Sequence, residues 1–176
     1  MKYYDVLYGE WELPPIIEDL VKTKVMNRLR HITQAVAPNN LMSYGFIPSR
    51  FHHGMGACYL MSLVIKNNKN YFGHVTPLLL SAALLHDAGT PPFSHFGEHF
   101  LKEVIGKNGE EFLQDMLEKT ETERVLYEHG VALKDVVVLV TGKMQPVSDV
   151  LHGSLDVDNL DNIARFHFAV FGEKAP

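Results

Sequence analysis

One stretch of this sequence gathers more titratable side chains than a core normally tolerates. LLHDAGTPPFSHFGEH, residues 84–99, carries His86, Asp87, His95, Glu98 and His99 around two adjacent prolines. A desolvated carboxylate without a partner is costly. A divalent ion offsets that cost and keeps the acid ionised. Neighbouring residues on a helix point about 100° apart, so His86 and Asp87 reach one ion only when it sits beside the helix. Further ligands must then come from elsewhere in the chain. His53, in RFHHGMG, lies on the apolar face of another segment, where a lone histidine is as often a satisfied core residue. Asp158 falls in DVDNLD, where three acids in six positions usually make a solvated face. Arg50, one helical turn before His53, carries a guanidinium suited to bidentate contact with phosphate oxygens. Its ordinary alternative is a surface arginine in a salt bridge.

The elements that must position these side chains read as helices. Pro14-Pro15 open a helix, with Ile16, Ile17, Leu20, Val25, Leu29, Ile32 and Val36 spaced along one face until Pro38 ends it. The segment LMSYGFIP is a loop. Ser49 caps a helix from Arg50 to Lys66, and Asn67 to Asn70 form a polar turn. Thr76-Pro77 start a third helix, LLLSAALLHDA, apolar almost all round and therefore buried, with Gly89 placed to end it. Ser94 caps a fourth, HFGEHFLKEVIG. Two amphipathic segments, EEFLQDMLEKT and ETERVLYEH, follow. VALKDVVVLVTG is rich in valine, yet its helical surroundings favour a short helix. A last helix, LDVDNLDNIARFHFAV, ends at Gly172. Residues 1–13 are an extended arm or a hairpin. The fold class is all-α, with six to eight helices.

Composition narrows the function. The 176 residues carry a formal net charge of −5, which argues against broad nucleic-acid binding, since that usually needs a basic face. A local basic pocket for a phosphorylated small molecule stays compatible with it. Cys58 is the single cysteine, so neither a disulfide framework nor a cysteine-rich zinc site can form, and its ordinary role is a small buried residue. No basic segment followed by an apolar run opens the chain, and no apolar stretch approaches the ~20 residues of a membrane span. A single domain in the cytoplasm is the expectation.

Four segments occur in an order that resembles the HD superfamily of metal-dependent phosphohydrolases. They are RLRHITQAV (28–36), RFHHGMG (50–56), LLHDAGTPPFSHFGE (84–98) and LDVDNLDNIAR (155–165). The likeness is greatest to the branch that hydrolyses deoxynucleoside triphosphates, which shares the opening segment seen here as Tyr8-Gly9-Glu10 with Leu29 to Gln34. The resemblance implies an HD-domain helical bundle over residues 1–176. It implies a metal site of His53, His86, Asp87 and Asp158, with His52 the nearest competitor to His53. Two histidines with two carboxylates suit Mn²⁺, Fe²⁺, Co²⁺, Ni²⁺ or Zn²⁺ better than Ca²⁺, and Mg²⁺ would accompany the substrate's phosphates. His95 and Glu98 match catalytic positions. They stand in a first helical turn, where free amides favour bound phosphate. His95 would transfer a proton and Glu98 would orient it. For Glu98, a favourable acid in a first turn is the plainer alternative.

The resemblance implies a water attacking phosphorus, with nucleoside and tripolyphosphate as products. The chain departs from the branch in three ways. Thr120-Glu121 stands where a second His-Glu pair is usual. Asn162 and Phe166 replace an aromatic and an acid. The sequence is short for the family, either a minimal enzyme or a piece of a larger one. Two alternatives therefore accompany the leading expectation: a phosphatase of nucleoside monophosphates or other phosphomonoesters, and a non-catalytic metal- or nucleotide-binding module. The relatives' habit of assembly makes a homo-oligomer the expected state.

Overall fold

The computed structural model describes residues 1–34 and 46–174, apart from the side chain of His95. The chain opens with a hairpin of Lys2–Asp5 (β1) and Gly9–Glu12 (β2), antiparallel with Lys2 opposite Glu12 and Asp5 opposite Gly9. Gly9 has φ +79°, a value that glycine adopts freely.

Where one helix is expected after Pro15, two form: Pro15–Leu20 (α1) and Lys24–Leu29 (α2). Thr23 causes the break. Its hydroxyl donates to the Leu20 carbonyl at 2.8 Å and accepts from the Met26 amide, closing one helix and capping the next. Residues 30–34 are turns and an extended piece. The Gln34 amide bonds the Pro48 carbonyl and the Arg50 amide bonds the Ile32 carbonyl. The expected end of this helix at Pro38 and the start of the LMSYGFIP loop lie outside the described residues.

Arg50–Asn67 (α3) begins at Ser49 as expected, and His52 completes the cap by accepting from the Ser49 amide. The expected polar turn carries a short helix, Lys69–Phe72 (α4), and one turn of 3₁₀ helix, Gly73–Val75. Thr76–Leu85 (α5) follows. Thr76 is its first residue rather than its cap, because its hydroxyl bonds back to the Phe72 and Gly73 carbonyls. The helix ends at Leu85, before Gly89. Gly89 instead permits a close approach: a Cβ there would lie 1.9 Å from the Gly109 carbonyl oxygen.

The remaining helices are His95–Ile105 (α6), Gly109–Leu117 (α7), Glu121–Glu128 (α8), Leu133–Val140 (α9), Asp149–His152 (α10) and Val157–Phe171 (α11). The valine-rich segment is helical, and Gly172 closes α11 in the left-handed conformation. Ser94 precedes α6 with φ 48° and makes no side-chain cap. Its hydroxyl is committed elsewhere, donating to the Thr33 carbonyl at 2.7 Å and accepting from Arg50.

α5 is the axis of the core. Leu79 to Leu85 are buried, and α1, α3 and α9 pack around them, with α11 laid across α3. Two glycines of α3 set those distances. A Cβ on Gly54 would lie 2.8 Å from the Leu84 carbonyl oxygen, and one on Gly56 would lie 1.8 Å from Asp161 Oδ1. His53 sits between them and is clamped between α5 and α11. Among the described residues, no helix is long and apolar enough to cross a membrane.

Candidate metal centre

Three helices deliver the expected ligands to one point. His53 comes from α3, His86 and Asp87 from the end of α5, and Asp158 from the first turn of α11. One ligand atom each from His53, His86 and Asp158 lies within 4.8 Å of the others. The two Nε2 atoms are 3.2 Å apart, and Asp158 Oδ1 lies 2.9 Å from His53 and 3.7 Å from His86. Asp87 Oδ2 lies 3.5 Å from His86 Nε2 and 3.8 Å from His53 Nε2.

The hydrogen bonds behind these atoms fix what they present. His86 Nδ1 is 2.9 Å from the Ala83 carbonyl, which only accepts, so Nδ1 carries the proton and Nε2 a lone pair. His53 Nδ1 is 2.8 Å from Asp161 Oδ2, which assigns the same tautomer. With both rings neutral, two nitrogen lone pairs and two carboxylate oxygens face one another. That arrangement repels itself unless a positive charge lies in the middle. The nitrogen spacing is that of two imidazoles sharing one ion at about 2.1 Å each, and the donor set suits a first-row transition metal. The residues fit a divalent ion.

Without an ion, a proton on His53 supplies that charge. Burial pushes His53 toward neutrality, but Asp158, Asp161 and Asp87 outweigh it and raise its pKa to about 9. Burial alone would raise Asp87, yet His86, Arg50 and His53 hold it far below the ordinary carboxylate range. Asp158 and Asp161 are also lowered, with His53 opposing the effect of burial in each.

Arg50 is not a surface arginine. It is buried and donates from Nη1 to Asp87 Oδ2 at 2.8 Å and from Nε to Ser94 Oγ at 3.2 Å. The acidic run around Asp158 is not a solvated face either. Asp161 has no solvent exposure, and the Asp158 side chain retains 30% against 1–12% for the other three ligands. Solvent therefore reaches the centre from the Asp158 side. His52 is spent on the α3 cap and stays out of the cluster. His99 is exposed, as expected of a surface residue. Glu98 is half-buried, its Oε1 3.0 Å from where a Cβ of Gly109 would stand. The backbone of His95 opens α6, while its side chain lies outside the described structure. Cys58 is buried and its thiol pushed up by burial, which keeps it neutral.

Several contributing residues escaped the sequence reading. Asp161 was the most accessible of them, being three positions after Asp158 and so on the same side of α11. Arg28 donates to the Ala88 and Thr90 carbonyls at 2.5 and 2.9 Å and braces the turn that follows Asp87. Thr90 Oγ1 lies 3.1 Å from Asp87 Oδ1. Gln34 donates to Asn162, one of the atypical positions in α11. Thr120 caps α8 and Glu121 accepts from the Lys24 amide, so this pair serves the helix ends. Glu110, in the first turn of α7, has its carboxyl pushed up by burial, drawn down by His152 and His86, and pushed up by Asp158 and Asp87. A groove of about 610 Å³ is lined by Asp149, His152, Gly153, Ser154 and Leu155, on the loop leading directly to Asp158. The buried Nε2 of His152 has no hydrogen-bond partner among the described residues.

No family model matches the chain. Among curated proteins it is 31% identical over 158 residues to the uncharacterized protein YwfO of Bacillus subtilis, a match covering 85% of this chain and 35% of that one. It is 26% identical over 181 residues to the deoxynucleoside triphosphate triphosphohydrolase SAMHD1 homolog of Dictyostelium discoideum, covering 92% of this chain and 35% of that one. The chain thus spans about a third of the length of these relatives. A solved structure of a phosphohydrolase from Bacteroides thetaiotaomicron superposes with a TM-score of 0.74 at 26% identity, over 99% of this chain and 44% of that one.

Proposed function

From the premise that this chain is related to the HD-domain phosphohydrolases, we propose that it is a metal-dependent hydrolase of phosphate esters or anhydrides, with a deoxynucleoside triphosphate as substrate. The observation that carries this reading is the inward-facing set of His53, His86, Asp87 and Asp158. These four would hold Mn²⁺, Fe²⁺, Co²⁺, Ni²⁺ or Zn²⁺, with Mg²⁺ on the substrate's phosphates. An ion held there supplies Lewis acidity toward a phosphoryl oxygen and acidifies water.

The chain's own residues supply the rest. Arg50 uses one Nε and one Nη1 donor in the contacts described, of the five a guanidinium carries. Its remaining donors hold phosphate, and its ion pair with Asp87 fixes their direction. His95 transfers a proton at the leaving oxygen, and Glu98 orients it. Because Asp158 is the most exposed ligand, substrate approaches from its side. The adjoining groove of about 610 Å³ falls in the size range of small-molecule sites. A homo-oligomer is part of the proposal, supported by Phe93, Phe96, Phe100 and Val104, which stand exposed on and before α6. A monomer mass in light scattering would refute it.

The structural use of Thr120 and Glu121 supports a second reading, a phosphatase acting on nucleoside monophosphates. Identifying the products by ³¹P NMR decides between them. The protein is incubated with Mn²⁺ and each deoxynucleoside triphosphate or monophosphate, beside Asp158→Asn. Tripolyphosphate from the unsubstituted protein alone is the expected result. Orthophosphate favours the second reading. Metal binding without turnover of any nucleotide sinks both and leaves a binding module.

A further inference from the structure

The N-terminal hairpin carries no ligand, yet it is bonded to the metal centre. Tyr8 Oη donates to Asp161 Oδ1 at 2.9 Å, and Asp161 Oδ2 accepts from His53 Nδ1 at 2.8 Å. Arg165 grips the same carboxylate side-on, Nε to Oδ2 at 2.9 Å and Nη2 to Oδ1 at 2.8 Å, and Nη2 also reaches Asp5 Oδ2 at 3.1 Å. Asp161 thus accepts four hydrogen bonds, about the full lone-pair capacity of a carboxylate. It has nothing left with which to ligate an ion, in contrast to Asp158 three residues earlier. Burial and Asp161 push the Tyr8 phenol well above its usual range, so Tyr8 is a donor at any working pH. The hairpin is held in place by aromatic contacts. Tyr8 stacks on Tyr59 of α3 at 4.8 Å between centroids, and Trp11 meets the same ring edge-on at 5.6 Å.

We propose that Tyr8 and Asp161 are positioning residues of the metal centre: Asp161 fixes the tautomer and ring orientation of His53, and Tyr8, with Arg165, fixes Asp161. The inference rests on the metal-centre reading and assigns a task to the hairpin, which that reading leaves unused. Carboxylates behind a histidine ligand tune metal affinity as well as geometry. An amide at position 161 would turn donors toward donors already in place. A phenylalanine at position 8 would keep the ring stack and remove one hydrogen bond.

The test compares the full chain, Tyr8→Phe and Asp161→Asn by Mn²⁺ calorimetry and by the visible spectrum of Co²⁺-loaded protein, with circular dichroism as the check on folding. Asp161→Asn is expected to weaken Mn²⁺ binding by about 10- to 100-fold and to alter the Co²⁺ bands. Tyr8→Phe is expected to act in the same direction by a smaller factor. A merely structural role would lower the melting temperature and leave the Co²⁺ bands alone. If both variants bind Mn²⁺ within about twofold of the unsubstituted chain, with the same Co²⁺ spectrum, the inference is wrong. Should Asp161→Asn fail to fold because Arg165 is left buried, Tyr8→Phe decides on the same criterion. If the unsubstituted chain binds neither ion, the metal-centre reading itself falls and takes this inference with it.

Discussion

Chelating divalent ions should make the protein's stability fall as pH rises through the neutral range, the opposite of what loss of acid-sensitive carboxylates produces. The cause is His53. Its pKa is raised from 6.5 to about 9 in the folded protein, so the folded state binds a proton that the unfolded chain has released. Stability from that proton is complete below 6.5 and lost as pH passes 9. The gap, at about 1.36 kcal/mol per pH unit, is worth about 3 kcal/mol. For a chain of this size that corresponds to a fall of about 6–12 °C in melting temperature. Few other groups intrude. Asp87, Asp158 and Asp161 are held below their ordinary values and stay charged, and Tyr3 is pushed up to about 12. His52 is lowered by burial, so its contribution is lost on the acid side of the window. The assay is thermal denaturation by circular dichroism in chelator across this range. With Mn²⁺ the trend inverts, because each ion bound displaces the proton and affinity climbs with pH. A melting temperature that is flat or rising in chelator would show that the four acceptors do not share a positive charge.

Three substitutions probe the same centre. Asp158→Asn should keep the fold, since its side chain is partly exposed and an amide can donate to His53 Nε2. It should abolish the gain in melting temperature that saturating Mn²⁺ gives the unsubstituted chain, about 2.7 kcal/mol at a hundredfold excess over Kd. Asp87→Ala should cost about 3–5 kcal/mol in urea denaturation, because it strands the buried Arg50 guanidinium. Its loss of activity would then report on folding as well as chemistry. Gly56→Ala should destabilise by about 3 kcal/mol or more, as its methyl group occupies the place of Asp161 Oδ1 and strains a buried ion pair. An unchanged urea midpoint would contradict the packing of α3 on α11.

What the sequence made legible was the set of short-range signals. Apolar spacing, Ser49 and Gly172 located α3 and α11, and the ordered motifs pointed to His53, His86, Asp87 and Asp158, which the fold brings together. Where a hydroxyl had two possible partners, local signals failed. Thr23 was hidden within an apolar period that ran unbroken through it. Ser94 looked like a cap because nothing in the sequence shows that Thr33 and Arg50 would claim its oxygen. Gly89 looked like a helix stop, whereas its lack of a side chain serves a contact with Gly109, twenty residues on. Asp161 and Arg28 were missed for the same reason. Their partners lie on other elements, and periodicity carries no information about which face meets which.

The bonds from Tyr8 to Asp161 and from Arg165 to Asp5 join positions 153 and 160 residues apart. Contacts of that span are made late, since the chain between them must first be ordered. During synthesis, His53, His86 and Asp87 leave the ribosome long before α11 exists. Until Asp158 and Arg165 emerge, the centre lacks a ligand and the hairpin lacks its anchor. An ion captured early would meet only three of its four ligands, whereas one captured late finds them all in place. An ion bound at this centre would therefore find its full ligand set only once α11 has packed against α3.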